Sequence, residues 1–222
     1  MIGLHSGAVT RVVHVAVLCV MVPFQLPAQR TYTASVDGML AEHRVTLGSD
    51  IEKASGPIFG ASISTNVLDW LAVGARVSGG TLLAEIAPAE DRSMGEIGVQ
   101  VDAFPIPSIG LATTIAVRGY SGTLGRQRWI ILATGPELRL PLYEERVRGS
   151  VRLALMPLVA VSDTDDPERA LAGTLGVEYR GQRLAAEVSY SLERFDFPAE
   201  ALAQRLEQLS TLSLRIGWRI RR

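Results

Sequence analysis

Leu212-Ser213-Leu214-Arg215-Ile216-Gly217-Trp218-Arg219-Ile220 alternates without a break. Its even positions are large and apolar, and its odd positions are polar, charged or glycine. A period of two is the mark of a strand whose two faces meet different surroundings. Working back from this stretch, the same period recurs from about Met39 in segments 39–47, 58–65, 70–78, 97–104, 109–118, 129–140, 148–161, 171–180, 184–193 and 212–220. Most are close to the ~9–11 residues that a tilted strand needs to cross a bilayer.

One face of this set is apolar. It carries Ala41, Val45 and Leu47; Phe59, Ala61 and Ile63; Leu71, Val73, Ala75 and Val77; Ile97, Val99 and Val101; and Leu111, Ile115 and Val117. It continues with Ile130, Leu132 and Leu138; Val151, Leu153, Leu155 and Val159; Leu175, Val177 and Tyr179; Leu184, Ala186, Val188 and Tyr190; and Leu214, Ile216, Trp218 and Ile220. The opposite face carries the charges: Glu42, Arg44, Arg76, Asp102, Arg118, Glu137, Arg139, Arg148, Arg152, Glu178, Arg180, Glu187, Glu193, Arg215 and Arg219. Small residues such as Gly60, Gly74, Gly98, Gly135 and Gly176 lie between them.

A soluble barrel would turn the apolar face inward. A transmembrane barrel turns it to lipid and encloses the charges. Three features favour the second. The apolar set is aliphatic along mid-strand. Aromatics gather near strand ends instead, with Trp70, Phe104, Tyr143, Tyr179 and Trp218 at one end and Phe59, Tyr120, Trp129, Tyr190 and Phe195 at the other, as in interfacial girdles. Connections also alternate in length: 48–57, 79–96, 119–128, 162–170 and 194–211 are long, while 66–69, 105–108, 141–147 and 181–183 are short. Short turns on the periplasmic side and long loops outside are the outer-membrane arrangement. The fold class expected is all-β, an antiparallel up-and-down transmembrane barrel of ten strands, with eight as the runner-up.

Through this alternation, the loop asymmetry and the closing stretch 212–220, the chain resembles the small outer-membrane β-barrel proteins of Gram-negative bacteria, of the OmpX and OmpA-transmembrane type. The resemblance covers residues 29–222. It implies outer-membrane lipid and the barrel assembly machinery as partners, and a role as adhesin, structural barrel, narrow channel or lipid-modifying enzyme. Members commonly end in an aromatic residue; here Trp218 is the nearest one to the end.

The rest of the chain agrees with export. Val12 to Phe24 is a short apolar run behind Arg11, and Ala28 stands at a suitable cleavage position, so residues 1–28 read as a signal peptide. The lone cysteine, Cys19, falls within it, which excludes a disulfide scaffold and thiol chemistry from residues 29–222. The chain has 222 residues and a net charge of −1, which gives no electrostatic case for nucleic acid. Apolar residues make up 47%, too many for a disordered chain.

Candidate chemistry is sparse. His43 is the only histidine after residue 28, and in the phase above it falls on the apolar face, pointing to lipid. That placement argues against hydrolase chemistry, which needs a base within reach of a nucleophile or water. Ser162-Asp163-Thr164-Asp165-Asp166-Pro167-Glu168 concentrates acids but lacks the glycine and distal glutamate of an EF-hand loop, and reads as a solvated loop. Ala87 to Arg92 reads as a plain surface loop, and Asp196 to Leu209 as a short helix or as continuations of two strands. The function expected is a structural or surface-interaction barrel with an occluded, charge-lined lumen, no enzyme, no cofactor and no metal. The alternatives are a narrow solute channel and a soluble periplasmic ligand-binding barrel.

Overall fold

The computed structural model describes residues 31–221 apart from 87–89, 123–124, 145, 163 and 201–202. The proposed signal peptide lies outside the described residues. Ten antiparallel strands follow one another: β1 (Thr31–Leu47), β2 (Asp50–Leu68), β3 (Leu71–Ile86), β4 (Arg92–Ile106), β5 (Ile109–Gly122), β6 (Gly125–Tyr143), β7 (Val147–Val161), β8 (Arg169–Arg180), β9 (Leu184–Glu200) and β10 (Ala203–Arg221). Each pairs with the next, and β1 closes on β10 from Thr31↔Arg221 to Leu47↔Arg205. The barrel is up-and-down and closed, which leaves no free strand edge.

The strands reach further than the segments read from sequence. β2, β6 and β10 each span 19 residues. Segments 48–57 and 194–211, read as long connections, are almost wholly strand: β1 and β2 are joined by Gly48 and Ser49 alone, with Gly48 at φ 59°. The helix considered over 196–209 is likewise the β9–β10 hairpin. At the end of the barrel far from Thr31 and Arg221, much of the extra length is therefore strand, although β7 and β8 remain joined by a connection outside the sheet.

Sequence periodicity missed these extensions because the barrel reverses its polarity partway up. In the half that contains the termini, inward positions are charged, polar or glycine, and outward positions are aliphatic: Leu40, Ile63, Val77, Ile97, Leu111, Leu153, Leu175 and Leu214 are all exposed. In the far half the inside is largely apolar, around a buried network of His43, Glu207, Arg92, Arg205 and Glu52. Met39, Ile58, Leu82, Met94, Tyr120, Trp129, Ile131, Met156, Val159, Phe195, Phe197 and Leu209 pack there into one buried cluster. The outer wall around that cluster carries Glu42, Arg44, Lys53, Glu85, Arg128, Arg169 and Arg194. The terminal half has the cross-section of a membrane barrel, and the far half that of a soluble one.

The reversal corrects several assignments. In β1 the inward residues are Asp37, Met39, Ala41 and His43, and Leu40 faces out. Ala41 and Val45 therefore do not lie on the outward face, and Glu42 and Arg44 do not line the lumen. Tyr120, Trp129 and Phe195 are not girdle residues; they are buried inside, whereas Phe59 and Tyr190 do face out. In β7 the register shifts between Leu132/Thr134 of β6 and their partners Leu158/Leu155, so one extra β7 residue turns Val159 inward. Just beyond this irregularity Gly135 is required: a Cβ there would stand 1.9 Å from the Leu153 carbonyl oxygen and 2.7 Å from Ala154 Cα.

Below the shift, Leu153 is 63% exposed and Ala154 is 6% exposed, so alternate residues of β7 face outward and into the lumen. Leu153→Arg should abolish folding into bilayers, since a charge at mid-belt costs ~2–4 kcal/mol. Leu153→Phe should fold normally. The heat-dependent gel shift of the folded barrel reads both, and equal folding of the two variants contradicts a lipid-facing Leu153.

Candidate functional site

The lumen holds ion-pair layers capped by an apolar plug. The central layer is built on Arg118 of β5, which is 4% exposed. Its Nε donates to Glu96 Oε2 on neighbouring β4 at 2.7 Å. Its two terminal nitrogens reach Glu193 on β9 at 2.7 and 3.0 Å. Because β5 and β9 are not neighbours in the sheet, this forked contact crosses the lumen as a strut. A bidentate guanidinium–carboxylate pair is among the stronger and more directional hydrogen-bonded contacts.

Toward the terminal end, Asp37 accepts from Arg215 Nε at 2.6 Å, and Arg215 Nη1 also reaches Glu187 at 3.0 Å. Arg76 Nε lies 3.6 Å from the other Asp37 oxygen. Arg139 donates to Glu137 at 2.7 Å and stacks its guanidinium 3.6 Å over Phe104, which faces inward rather than joining a girdle. Arg180 donates to Glu178 at 2.6 Å, and the Gln100 amide donates to both Asp102 oxygens at 2.8 and 2.9 Å. Arg148, Arg152 and Arg219 lie on the same inward rows. Every charge read from sequence as lumenal thus lies on an inward row except Glu42 and Arg44.

Those two belong to a lattice on the outer wall. Lys53 Nζ lies 3.0 Å from both Glu42 and Glu85, Arg44 lies 3.3 Å from Glu42, and Ser55 hydrogen-bonds Glu85. Exposed ion pairs of this kind add little to stability.

The sequence reading of His43 is overturned. It points into the barrel, 5% exposed, and its Nε2 lies 2.9 Å from Glu207 Oε2 on β10. Arg92 Nη1 stands 3.2 Å from Nδ1. A guanidinium only donates, so Nδ1 accepts and Nε2 carries the proton given to Glu207. Arg205 holds the second Glu207 oxygen, and Arg92 also faces Glu52 at 3.6 Å. The imidazole stacks on Tyr120 with centroids 5.0 Å apart, and Trp129, Phe195 and Phe197 continue the cluster edge to face. With both nitrogens engaged and a ring against its face, His43 has no open side for a substrate.

Sequence reading missed Asp37, Glu52, Arg92, Glu96, Arg205 and Glu207. The signal for three of them was present. Glu96 continues the inward row of Gly98, Gln100 and Asp102, while Glu207 and Arg205 continue that of Arg215, Ser213 and Leu209. Asp166, in the acidic loop, accepts from the Val161 amide at 2.8 Å and so closes a turn. Among the described residues no group of acids, histidines or cysteines is arranged to hold a metal ion.

No family model and no curated protein matches this chain. Among solved structures it is similar to the outer membrane protease OmpT from Escherichia coli, at 9% identity over 87% of this chain and 97% of that one, with a TM-score of 0.55. It also matches the β domain of the Bordetella autotransporter BrkA, at 11% identity over 86% and 98% of the two chains with a TM-score of 0.42. A further match is the attachment invasion locus protein Ail of Yersinia pestis, at 11% identity over 85% and 98% with a TM-score of 0.36. The fold is that of the small outer-membrane β-barrels, with ten strands.

Proposed function

We propose that this chain is a sealed outer-membrane barrel, exported through a cleaved leader, that serves as a structural or surface-interaction protein and neither conducts solutes nor catalyses a reaction. The observation that carries the reading is the pairing of a cross-lumen strut, Arg118 to Glu96 and Glu193, with a buried aromatic cluster directly beyond it. Ten strands enclose a lumen only slightly wider than the eight-stranded kind whose side chains fill it. A band of exposed apolar residues, Leu40, Phe59, Leu153 and Leu155 among them, is far larger than a soluble barrel leaves to water. It speaks against the soluble ligand-binding alternative.

In this reading the termini face the periplasm. The far half stands clear of the hydrocarbon as a rigid, charged cylinder, and its outer wall is the surface available to a partner. Its interior apolar core keeps that cylinder stiff without help from the bilayer. Purified barrel added to planar bilayers should give no steady conductance steps. Reproducible ohmic steps from folded protein would overturn the sealed lumen in favour of the narrow channel.

A further inference from the structure

We propose that the terminal half of the lumen is a blind anion-binding vestibule, in which Arg148 and Arg152 hold a phosphate-type oxyanion. Four carboxylates of that half are engaged by other arginines, Asp37 and Glu187 by Arg215, Glu137 by Arg139 and Glu178 by Arg180, while Asp102 accepts from the Gln100 amide. Arg148 and Arg152 are left over. They face inward from β7 on either side of Ser150, about 13 Å apart along the strand, close enough for two long side chains to converge. Arg152 Nη2 donates to the Thr114 hydroxyl at 3.1 Å. Among the described residues neither arginine has a carboxylate within ion-pair distance.

Both guanidinium groups are permanently charged, half-buried, and enclosed by walls that face hydrocarbon. Asp102 and Glu137 act on Arg152 from beyond ion-pair distance; a partly desolvated charge with no counter-charge in direct contact is costly, and an entering anion reduces that cost. The guanidinium fork matches the oxygens of a phosphate, two bonds to each group. Arg118 and the plug beyond it close the far side, so an anion enters and leaves by one mouth. Only this blindness rests on the sealed-barrel reading; the site itself does not.

The test uses the folded barrel in maltoside micelles, titrated calorimetrically with inorganic phosphate at constant ionic strength in chloride. A second arm uses soluble short-chain phosphatidic acid, which separates a free oxyanion from a lipid headgroup as the source. Saturable binding of either ligand, weakened roughly tenfold or more in Arg148→Gln/Arg152→Gln, supports the site and identifies its ligand. Arg44→Gln on the outer wall should bind as the unaltered protein does. The heat-dependent gel shift confirms that each variant is folded, and Arg148→Lys and Arg152→Lys keep the charge should the glutamine pair fail to fold. The absence of saturable binding of both ligands, or binding unchanged by the double substitution, overturns the proposal. A barrel that conducts yet binds phosphate through these arginines sinks the sealed lumen and leaves the vestibule standing.

Discussion

Arg118→Ala should lower the stability of the folded barrel by about 3–5 kcal/mol, the usual loss when one member of a buried ion pair is removed. The loss comes from what remains. Glu96 and Glu193 would face each other across the lumen with no cation between them, each stripped of its forked or paired donor. The three groups act as one unit, so their substitutions should not add. Arg118→Met combined with Glu96→Gln and Glu193→Gln should recover most of the loss, because no charge is then left buried and the amides can bond one another. Urea unfolding in micelles, followed by far-UV circular dichroism, reads all the variants. If Arg118→Ala and the triple variant prove equally unstable, the strut works through packing volume and not through charge. If Arg118→Ala costs less than about 1 kcal/mol, the contact is no more than an exposed surface pair.

The strut also marks how far the sequence could be read. Strand alternation was legible wherever the outer face is uniformly aliphatic, and there β3, β4, β5, β8 and the lower part of β10 show the faces expected of them. Besides the β7 irregularity that turns Val159 inward, it fails at two kinds of place. The first is where polarity reverses. Arg205, Glu207, Leu209 and Thr211 continue the inward row of β10 as regularly as Arg215 to Arg219 do, yet the outward row beside them turns polar at Gln208 and Ser210, so a search for apolar residues facing out passes over them. The second is strand β1, which begins at Thr31 and not at Met39. Glu42 and Arg44 are the only acidic or arginine side chains in segment 39–47. A rule that charges face inward then set the phase backwards and carried His43 to the wrong side. Asp37, two residues upstream of that segment and fully enclosed by Arg215 and Arg76, would have set it correctly. The candidate site was legible as a list of inward charges, but its partners were not. Which arginine meets which carboxylate depends on the stagger of the closed sheet, and strand period carries no information on stagger.

Trp129→Ala should be as damaging as any change to the ion pairs, although it removes no charge. The indole is 1% exposed and sits at the centre of the plug, with Tyr120, Phe195 and Phe197 all edge-on to it. Truncating a buried aromatic typically costs about 3–5 kcal/mol, part of it for the cavity left behind. The cavity here would form in the half whose interior does the packing, so exchange of backbone amides should rise in the far ends of β5, β6 and β9 before the membrane belt opens. Trp129→Phe is the informative companion. The Trp129 Nε1 hydrogen has no acceptor in this setting, so phenylalanine keeps most of the ring contact and discards an unpaired donor. It should cost far less than alanine. Phe59→Ala supplies the contrast from the outer wall, where the ring is 67% exposed and lipid or detergent fills the space it vacates. Hydrogen exchange and urea midpoints should therefore rank Trp129→Ala well below Trp129→Phe and Phe59→Ala. If Trp129→Ala and Phe59→Ala lose equal stability, the interior of the far half is not a packed core and the plug does not exist.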